Sequence, residues 1–201
     1  MGSRRCAERL AGLTAAVAFL LGVSSDAQSA TATCPAKPVA QVFLPWADPA
    51  WYESVPDGGF EADAAGWTLR GGAAVVDGNE PYSVRGRSDR RSLALGDGAW
   101  ASGAPACVAV GHPTLRFFVR NTGSSLGRLQ VSAEFVDALG VPRSLLIGTV
   151  AGTAAWAPSP PVPITINTIS ALAVNEVRFR FAPSSGDWRI DDVYVDPYGK
   201  G

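Results

Sequence analysis

Val177-Arg178-Phe179-Arg180-Phe181 is the stretch of this sequence that most clearly indicates a fold class. Its apolar and charged side chains alternate with a period of two, which is the period of a β-strand with one buried and one solvated face. Thr114–Arg120 has the same pattern, with Leu115, Phe117 and Val119 on one face. Both stretches therefore predict strands whose apolar side chains point into a core.

Short apolar or alternating runs recur along the rest of the chain, separated by Gly, Pro, Asn and Asp. No segment after residue 33 has apolar residues at helical spacing over three turns. The predicted strands lie at 41–44, 58–61, 66–70, 73–77, 91–95, 106–110, 114–120, 128–136, 144–151, 162–166, 169–174, 177–182 and 188–195. Many strands without helical partners predict one all-β domain over 33–201, an antiparallel sandwich or barrel.

The last of these strands contains a change of register. Trp188 and Ile190 share one face, whereas Val193 and Val195 fall on the other. All four side chains are suited to the core, so the alternation must shift between the two pairs. We predict a β-bulge at Asp191-Asp192, a device that often positions side chains for a site.

The first 32 residues have the form of a secretory signal peptide. Arginines precede the apolar run Leu10–Val23, which is shorter than the roughly 20 residues that span a bilayer. Ala30-Thr31-Ala32 is a small-x-small cleavage site, so we expect a secreted or cell-surface protein with no membrane span after cleavage. Two alternatives remain open: export by the twin-arginine route, suggested by Ser3-Arg4-Arg5, and a retained anchor.

The composition excludes several classes of function. The 201 residues include 17 Lys and Arg against 18 Asp and Glu, so the chain lacks the basic field that nucleic-acid binding needs. Its one histidine, His112, excludes a multi-histidine metal site and argues against histidine-based catalysis. Gly123–Gly127 matches the G-x-S-x-G pattern, but it joins two predicted strands and no histidine follows it, so we interpret it as a hairpin loop. We expect a protein that is not an enzyme.

The cysteines predict one disulfide bond. Cys6 leaves with the signal peptide, and Cys34 and Cys107 remain. Two cysteines in an exported chain favour a bond between them, which the chain-entropy model values at roughly 4 kcal/mol for so long a loop. Two free, buried thiols are the alternative.

Acidic residues are concentrated near the start and the end of the predicted domain. Carboxylates and backbone carbonyls are the ligands of calcium. If the first and last strands are neighbours, Glu61 could meet Asp191 or Asp192. The alternatives are solvated turn carboxylates or, less simply, a carboxylate pair for glycoside hydrolysis.

Three segments together resemble a known family. Asp57-Gly58-Gly59-Phe60-Glu61, Gly66-Trp67 and Trp188–Val193 are similar to the opening and closing motifs of the carbohydrate-binding modules of families 4, 9 and 22. The whole chain also resembles exported proteins of actinobacteria. The resemblance to the modules covers only residues 57–70 and 187–196, and Asp57 stands where those modules have Asn.

The resemblance implies a jelly-roll sandwich of the galactose-binding-like type. It also implies a structural calcium ion, Ca²⁺, held by Glu61, the carbonyl of Gly59, and one of Asp191 and Asp192. Phe60, Trp67 and Ile190 would be core residues.

Aromatic and arginine residues in loops are the candidate ligand contacts. Trp46, Trp51 and Tyr52 lie in a turn-rich stretch, and Arg87 lies in the basic loop Arg85–Arg91. Rings can stack on sugars or cover the core, and arginine pairs well with the acidic groups of wall polymers. Tyr82, Trp100 and Trp156 are also flanked by loops.

These observations predict a non-catalytic, exported, monomeric module that binds carbohydrate or a cell-envelope polymer. The alternative is a structural or protein-interaction sandwich that binds no sugar, because fold does not determine function.

Overall fold

The structure is a computed structural model that describes residues 34–108, 114–137, 139–164, 166 and 175–196. The predicted signal peptide, His112 and the predicted strand 169–174 lie outside the described residues. Among those that are described, no helix is both long and apolar enough to cross a membrane.

The described residues form fourteen strands and one short 3₁₀ helix. The 3₁₀ helix spans Leu44–Trp46. The strands are β1 Val39–Ala40, β2 Tyr52–Ser54, β3 Thr68–Arg70, β4 Ala74–Asp77, β5 Arg91–Leu95, β6 Trp100–Ser102, β7 Ala106–Val108, β8 Thr114–Asn121, β9 Leu129–Val136, β10 Pro142–Val150, β11 Ala157–Pro158, β12 Val162–Pro163, β13 Asn175–Pro183 and β14 Trp188–Val195.

These strands make two antiparallel sheets. In the first sheet the order is β1-β2-β14-β5-β4, and β14 also pairs with β8, which carries the short strands β11 and β12. In the second sheet the order is β10-β9-β13-β6-β3, with β7 paired to one end of β13. Strand β14 therefore has neighbours along both of its edges, β8 on one side and β5 and β2 on the other.

The main core lies between the two sheets. Leu115, Phe117 and Val119 of β8 are buried in it, as are the alternating apolar residues of β13. Phe117 and Phe181 meet edge to face with ring centroids 5.1 Å apart. The two alternating stretches therefore point their apolar side chains inward, as the sequence predicts.

A second, smaller core covers the outward face of the first sheet. It is formed by Val42, Phe43, Tyr52, Phe118 and Tyr194. The chain between β1 and β2 supplies the covering segment, and we call residues 41–51 the lead-in segment. Phe43 of this segment stacks on Phe118 of β8 at 5.3 Å between centroids.

The predicted bulge in β14 is confirmed. The pairing of β14 with β8 shifts register between Asp191 and Tyr194, and Asp192 has a φ of 50°. As a result Trp188, Ile190, Val193 and Val195 all face the core between the sheets. The predicted disulfide between Cys34 and Cys107 is also formed, with Cα atoms 5.5 Å apart.

Two predicted strands are wrong within the described residues. Residues 41–44 lead into the 3₁₀ helix, where Pro45 suits the helix start and cannot donate to a sheet. Residues 58–61 form turns, because Asp57 and Phe60 take left-handed φ angles of 46° and 60° that no strand allows. The sequence analysis also does not predict the short strands β1, β2, β6 and β11.

Candidate functional site

The bulge in β14 contributes to a cluster of buried carboxylates. Glu80, Asp89 and Asp192 each place a carboxylate oxygen within 4.8 Å of the others. Their residues are 1%, 7% and 0% exposed. Glu80 and Asp89 come from the loop that joins β4 to β5, residues 78–90, and Asp192 comes from β14. We call these three residues the carboxylate cluster.

Two of the three carboxylates lack conventional donors. Among the described residues, no N–H or hydroxyl group donates to either oxygen of Asp89 or of Asp192. The nearest positive charge to Asp192 is Arg85, whose Nε lies 3.5 Å from Oδ1, too far for a good hydrogen bond. Glu80, in contrast, accepts hydrogen bonds from the backbone N–H groups of Tyr82 and Val84.

Burial shifts the titration of this region. Removal from water raises the pKa of Asp192 to about 9, and the neighbouring charges of Asp191 and Asp89 add to the effect. Burial likewise raises the pKa of Asp191 to about 8. The pKa of Asp89 rises to about 6 because of burial and the nearby charge of Glu61. A bound cation would favour the ionised forms and reverse these shifts.

The four metal ligands predicted from the sequence lie in this region in different roles. A Cβ on Gly59 would stand 3.0 Å from Asp192 Oδ1, so the Gly59 backbone lies against the cluster. Glu61 Oε1 accepts the N–H groups of Arg90 and Arg91, each at 2.8 Å.

Asp191 uses both oxygens to organise the backbone around the bulge. Its Oδ1 accepts the N–H of Asp192 at 2.8 Å, and its Oδ2 accepts the N–H of Glu80 at 3.1 Å. Of the predicted pair, Asp192 is therefore the residue with oxygens turned into the cluster. Sequence reasoning missed Glu80 and Asp89, because no local pattern indicates that their loop packs against β14.

A different kind of surface covers the outward side of the second sheet. The strand register places Ser102, Arg180 and Ser132 side by side across β6, β13 and β9, and places Arg178 beside Glu134. These residues alternate with the apolar residues that face the core, so the outward face is polar at these positions of β6, β13 and β9. We call this surface the open face.

Contacts on the open face hold an aromatic ring among polar groups. The Arg180 guanidinium lies over the Trp100 ring, 4.0 Å from its centroid. Glu134 Oε1 is 3.5 Å from Arg180 Nη1, and Glu134 Oε2 accepts a 2.6 Å hydrogen bond from Ser102 Oγ. The four side chains therefore form one connected network, and Arg180, Glu134 and Trp100 stay partly exposed.

The open face continues into a groove of about 630 Å³. Its lining combines polar and charged residues with prolines and two apolar side chains. The lining residues are Pro105, Glu134, Phe135, Val136, Pro142, Arg143, Ser144, Glu176 and Arg178. A groove of this size with a few polar groups lies within the range of small-molecule binding sites.

Two of the ligand contacts predicted from the sequence, Tyr52 and Trp46, pack against other side chains rather than facing an open groove. Tyr52 is 1% exposed and its hydroxyl donates to Asp48 Oδ2 at 2.7 Å, so the structure makes it a core residue with no ring face for a sugar. Burial, reinforced by Asp48, raises the pKa of Tyr52 to about 12. Trp46 is half-buried and packs edge to face on Tyr82 and Phe118.

The two remaining predicted contacts are exposed. Trp51 is 48% exposed at the end of the lead-in segment. Arg87 is exposed in the loop that carries Glu80 and Asp89. Trp100, in contrast, belongs to a polar network that the sequence analysis did not predict. The signal for it in the sequence was the position of Trp100 two residues before Ser102, which places both side chains on the same face of β6.

No family model matches this chain, and no curated protein matches it either. Solved structures do match. The CBM22-1-GH10 modules of an endo-1,4-beta-D-xylanase 10B of Clostridium thermocellum, complexed with xylohexaose, align with a TM-score of 0.51 and 14% identity. That alignment covers 72% of this chain, which spans only 28% of the xylanase chain.

Two single modules align over most of their own length. The CBM22-1 xylan-binding domain of Paenibacillus barcinonensis Xyn10C has a TM-score of 0.49 and 13% identity, covering 75% of this chain and 94% of that one. The C-terminal CBM6 of the laminarinase LamC from Zobellia galactanivorans has a TM-score of 0.47 and 13% identity, covering 72% and 98%.

These likenesses bear on the fold. With its two antiparallel sheets, the chain is a jelly-roll β-sandwich of the galactose-binding-like type. The fold class predicted from the sequence is confirmed.

Proposed function

We propose that this protein is an exported, non-catalytic module that binds carbohydrate or a cell-envelope polymer on the open face. The observation that carries the proposal is the network of Trp100, Arg180, Glu134 and Ser102 beside an open groove. Charged and hydroxyl groups can read sugar hydroxyls, while the stacked guanidinium and indole offer a planar surface for the apolar side of a pyranose.

The fold neighbours support a polysaccharide as the ligand class. The xylanase modules were solved with xylohexaose, which makes xylan-type oligosaccharides the first ligands to test. Because a shared fold does not transfer a ligand, the panel must also include cellulose, laminarin, and bacterial cell walls.

The decisive experiment is retention of the purified protein on that panel, compared among three variants. Trp100→Ala and Glu134→Gln should each lower retention about tenfold, because each removes one member of the open-face network. Trp51→Ala is the matched control: an exposed tryptophan of the lead-in segment, whose loss should leave retention unchanged.

The outcomes separate the possible ligand surfaces. Loss of retention in Trp51→Ala with normal retention in Trp100→Ala would move the ligand to the lead-in segment. Retention that disappears in salt and in Arg87→Ala would indicate an anionic polymer at the basic loop instead.

The proposal includes a structural calcium ion at the carboxylate cluster. The observation that supports it is the pair of buried carboxylates, Asp89 and Asp192, that receive no N–H or hydroxyl donor among the described residues. Calcium prefers carboxylate and carbonyl oxygens, which Glu80, Asp89, Asp192 and the Gly59 backbone supply. When bound, the ion would tie loop 78–90 to β14 and neutralise charge that burial makes unfavourable.

Metal content and melting temperature test this site together. The purified protein should carry about one equivalent of calcium by elemental analysis and should melt at a lower temperature in chelator. Asp89→Asn should lose the calcium and abolish the effect of chelator, whereas the exposed Glu176→Gln should change neither. A wild-type protein without metal, and with the same melting temperature in calcium and in chelator, would rule the site out.

Export is proposed from the N-terminal sequence. The disulfide supports it, because such bonds persist mainly in oxidising compartments. N-terminal sequencing of the protein recovered outside the cytoplasm should begin at Thr33, and recovery of an intact Met1 in the cytoplasm would contradict export.

One observation favours a second candidate, a protein-interaction module. Val136, Leu139 and Val141, at the β9–β10 hairpin, are 56%, 84% and 41% exposed. An exposed apolar cluster of this kind marks protein contacts in many soluble domains. If the protein is retained on none of the polymers, the function as a protein-interaction module is favoured.

A further inference from the structure

The Arg85 side chain lies beside the carboxylate cluster, close to where a bound cation would lie. Its Nε is 3.5 Å from Asp192 Oδ1, and its Nε and Cδ lie within 2.8 Å of the position of a Cβ on Gly59. Its Nη1 atom donates a 2.7 Å hydrogen bond to Ser54 Oγ of β2. The side chain thus lies along the two elements, Gly59 and Asp192, that border the cluster.

This contact places a positive charge beside Asp192 without satisfying its carboxyl group. At 3.5 Å the guanidinium attracts Asp192 but makes no hydrogen bond with it, and both Asp192 oxygens remain without an N–H or hydroxyl donor. A third of the Arg85 side chain is exposed, so it can leave for solvent without crossing the core. The three carboxylates are far better satisfied by a divalent ion that contacts all of them.

The loop between β4 and β5 carries two of the three carboxylates and also Arg85. Glu80 and Asp89 lie near its two ends, and Arg85 lies between them. A calcium ion held by Asp192 would lie close to the present position of the Arg85 guanidinium, and two positive charges at short range repel each other.

We propose that Arg85 is a built-in competitor for the metal site: its guanidinium stabilises the metal-free protein, and calcium binding displaces it from Asp192 into solvent. Arg85 thereby sets the calcium affinity without being a ligand. This inference rests on the calcium site of the proposed function. Its consequence is that the ion frees the Arg85 guanidinium from its contact with Asp192, in the basic loop that already presents Arg87.

Calcium affinity and metal-free stability, measured together, test the proposal. Arg85→Gln should bind calcium about tenfold more tightly than wild type, because the repulsion is gone. The same variant should melt at a lower temperature in chelator, because the buried Asp192 carboxyl group loses its contact with the guanidinium. Arg85→Lys keeps the charge and should stay close to wild type in both measurements. Arg87→Gln, the control in the same loop, should change neither.

A milder variant protects the test against loss of folding. Ser54→Ala removes the hydrogen bond that holds Arg85 in place and should tighten calcium binding by about twofold. Unchanged or weaker binding in both Arg85→Gln and Ser54→Ala would overturn the proposal while leaving the calcium site intact. No calcium binding in wild type or any variant would remove the site itself, and the competition with it.

Discussion

The outward faces of the two sheets differ in what covers them. On the first sheet, the lead-in segment packs Phe43 and Trp46 onto Phe118, and Arg116 forms a buried ion pair with Asp48 at 2.6 Å. On the second sheet, no such segment lies over Trp100 and its polar neighbours among the described residues, and the groove stays open. The same jelly roll thus has one outward face converted into core and one outward face left exposed.

The difference teaches that aromatic content alone does not locate a binding surface. The lead-in segment is rich in aromatic residues, yet Phe43 and Trp46 pack into the second core and only Trp51 of its rings is exposed. The open face carries a single tryptophan, but that ring is surrounded by charges and hydroxyls. The rings of the two faces therefore differ in their surroundings, which are apolar around Phe43 and polar around Trp100.

The strongest test of the covered face is Phe43→Ala. Phe43 is 0% exposed and contacts Phe118, Tyr52 and Tyr194, so its truncation should lower the free energy of unfolding by about 3–5 kcal/mol. Leu44→Ala, at an exposed position beside it, should cost less than about 0.5 kcal/mol. Equal, small effects in chemical denaturation would show that the lead-in segment contributes no core.

The next largest effect should be a pH dependence of the free energy of unfolding, measured in chelator and caused by the buried carboxyl groups of β14. Burial raises the pKa of Asp191 to about 8 from its usual value of 3.8, so the folded protein holds a proton that the unfolded chain has released. Stability should therefore fall as pH rises, by about 1.4 kcal/mol per unit for one such carboxyl, or about 3 kcal/mol between pH 5 and 7.

Calcium and a single substitution provide the controls for that slope. Saturating calcium should flatten it, because the ion favours the ionised carboxylates. Asp192→Asn removes one of the buried carboxyls, and Asn tolerates the left-handed backbone at that position, so the slope should decrease. Stability that rises with pH in chelator would contradict the assigned direction.

The disulfide should have a smaller but measurable effect. It joins Cys34, before the lead-in segment, to Cys107 of β7. Cys34→Ser should lower the free energy of unfolding by about 2–4 kcal/mol, near the lower figure if the lead-in segment stays packed. The double variant with Cys107→Ser should match the single one. A further loss in the double variant would mean that the Cys107 thiol has a packing role of its own.

The smallest effect on stability is expected on the open face. Glu134→Gln disrupts a half-exposed ion pair and keeps a hydrogen-bond acceptor for Ser102, so its cost should be below about 1 kcal/mol. Asp48→Asn, which breaks the buried pair with Arg116 on the covered face, should cost several times more. If both substitutions lower the free energy of unfolding by similar amounts in the same denaturation experiment, the proposed difference between the two faces is wrong.

The sequence predicts those parts of the fold that local pattern controls. Alternation located β13 and β8, and the break in alternation between Ile190 and Val193 located the bulge. The same reasoning failed at 58–61, because an alternating run does not reveal that Asp57 and Phe60 adopt left-handed backbone angles.

The site was only half predictable for a related reason. Asp192 was indicated by the bulge, whereas Glu80 and Asp89 reach it through a loop whose path depends on long-range packing. Tyr52 was predicted as a ligand contact because nothing local shows that the lead-in segment folds back over β8 and β14.

Strand β14 has a consequence for how this chain folds. It is the central strand of the first sheet, and it pairs with β2, β5 and β8, each of which lies far earlier in the sequence. During synthesis those strands emerge first, and they cannot join into one sheet until residues 188–195 follow, because β14 is the strand that links them. Such non-local pairing slows folding and lets the chain remain unfolded while it is being made. The first sheet therefore closes in one late step, which seals the covered face and creates the carboxylate cluster at the same moment.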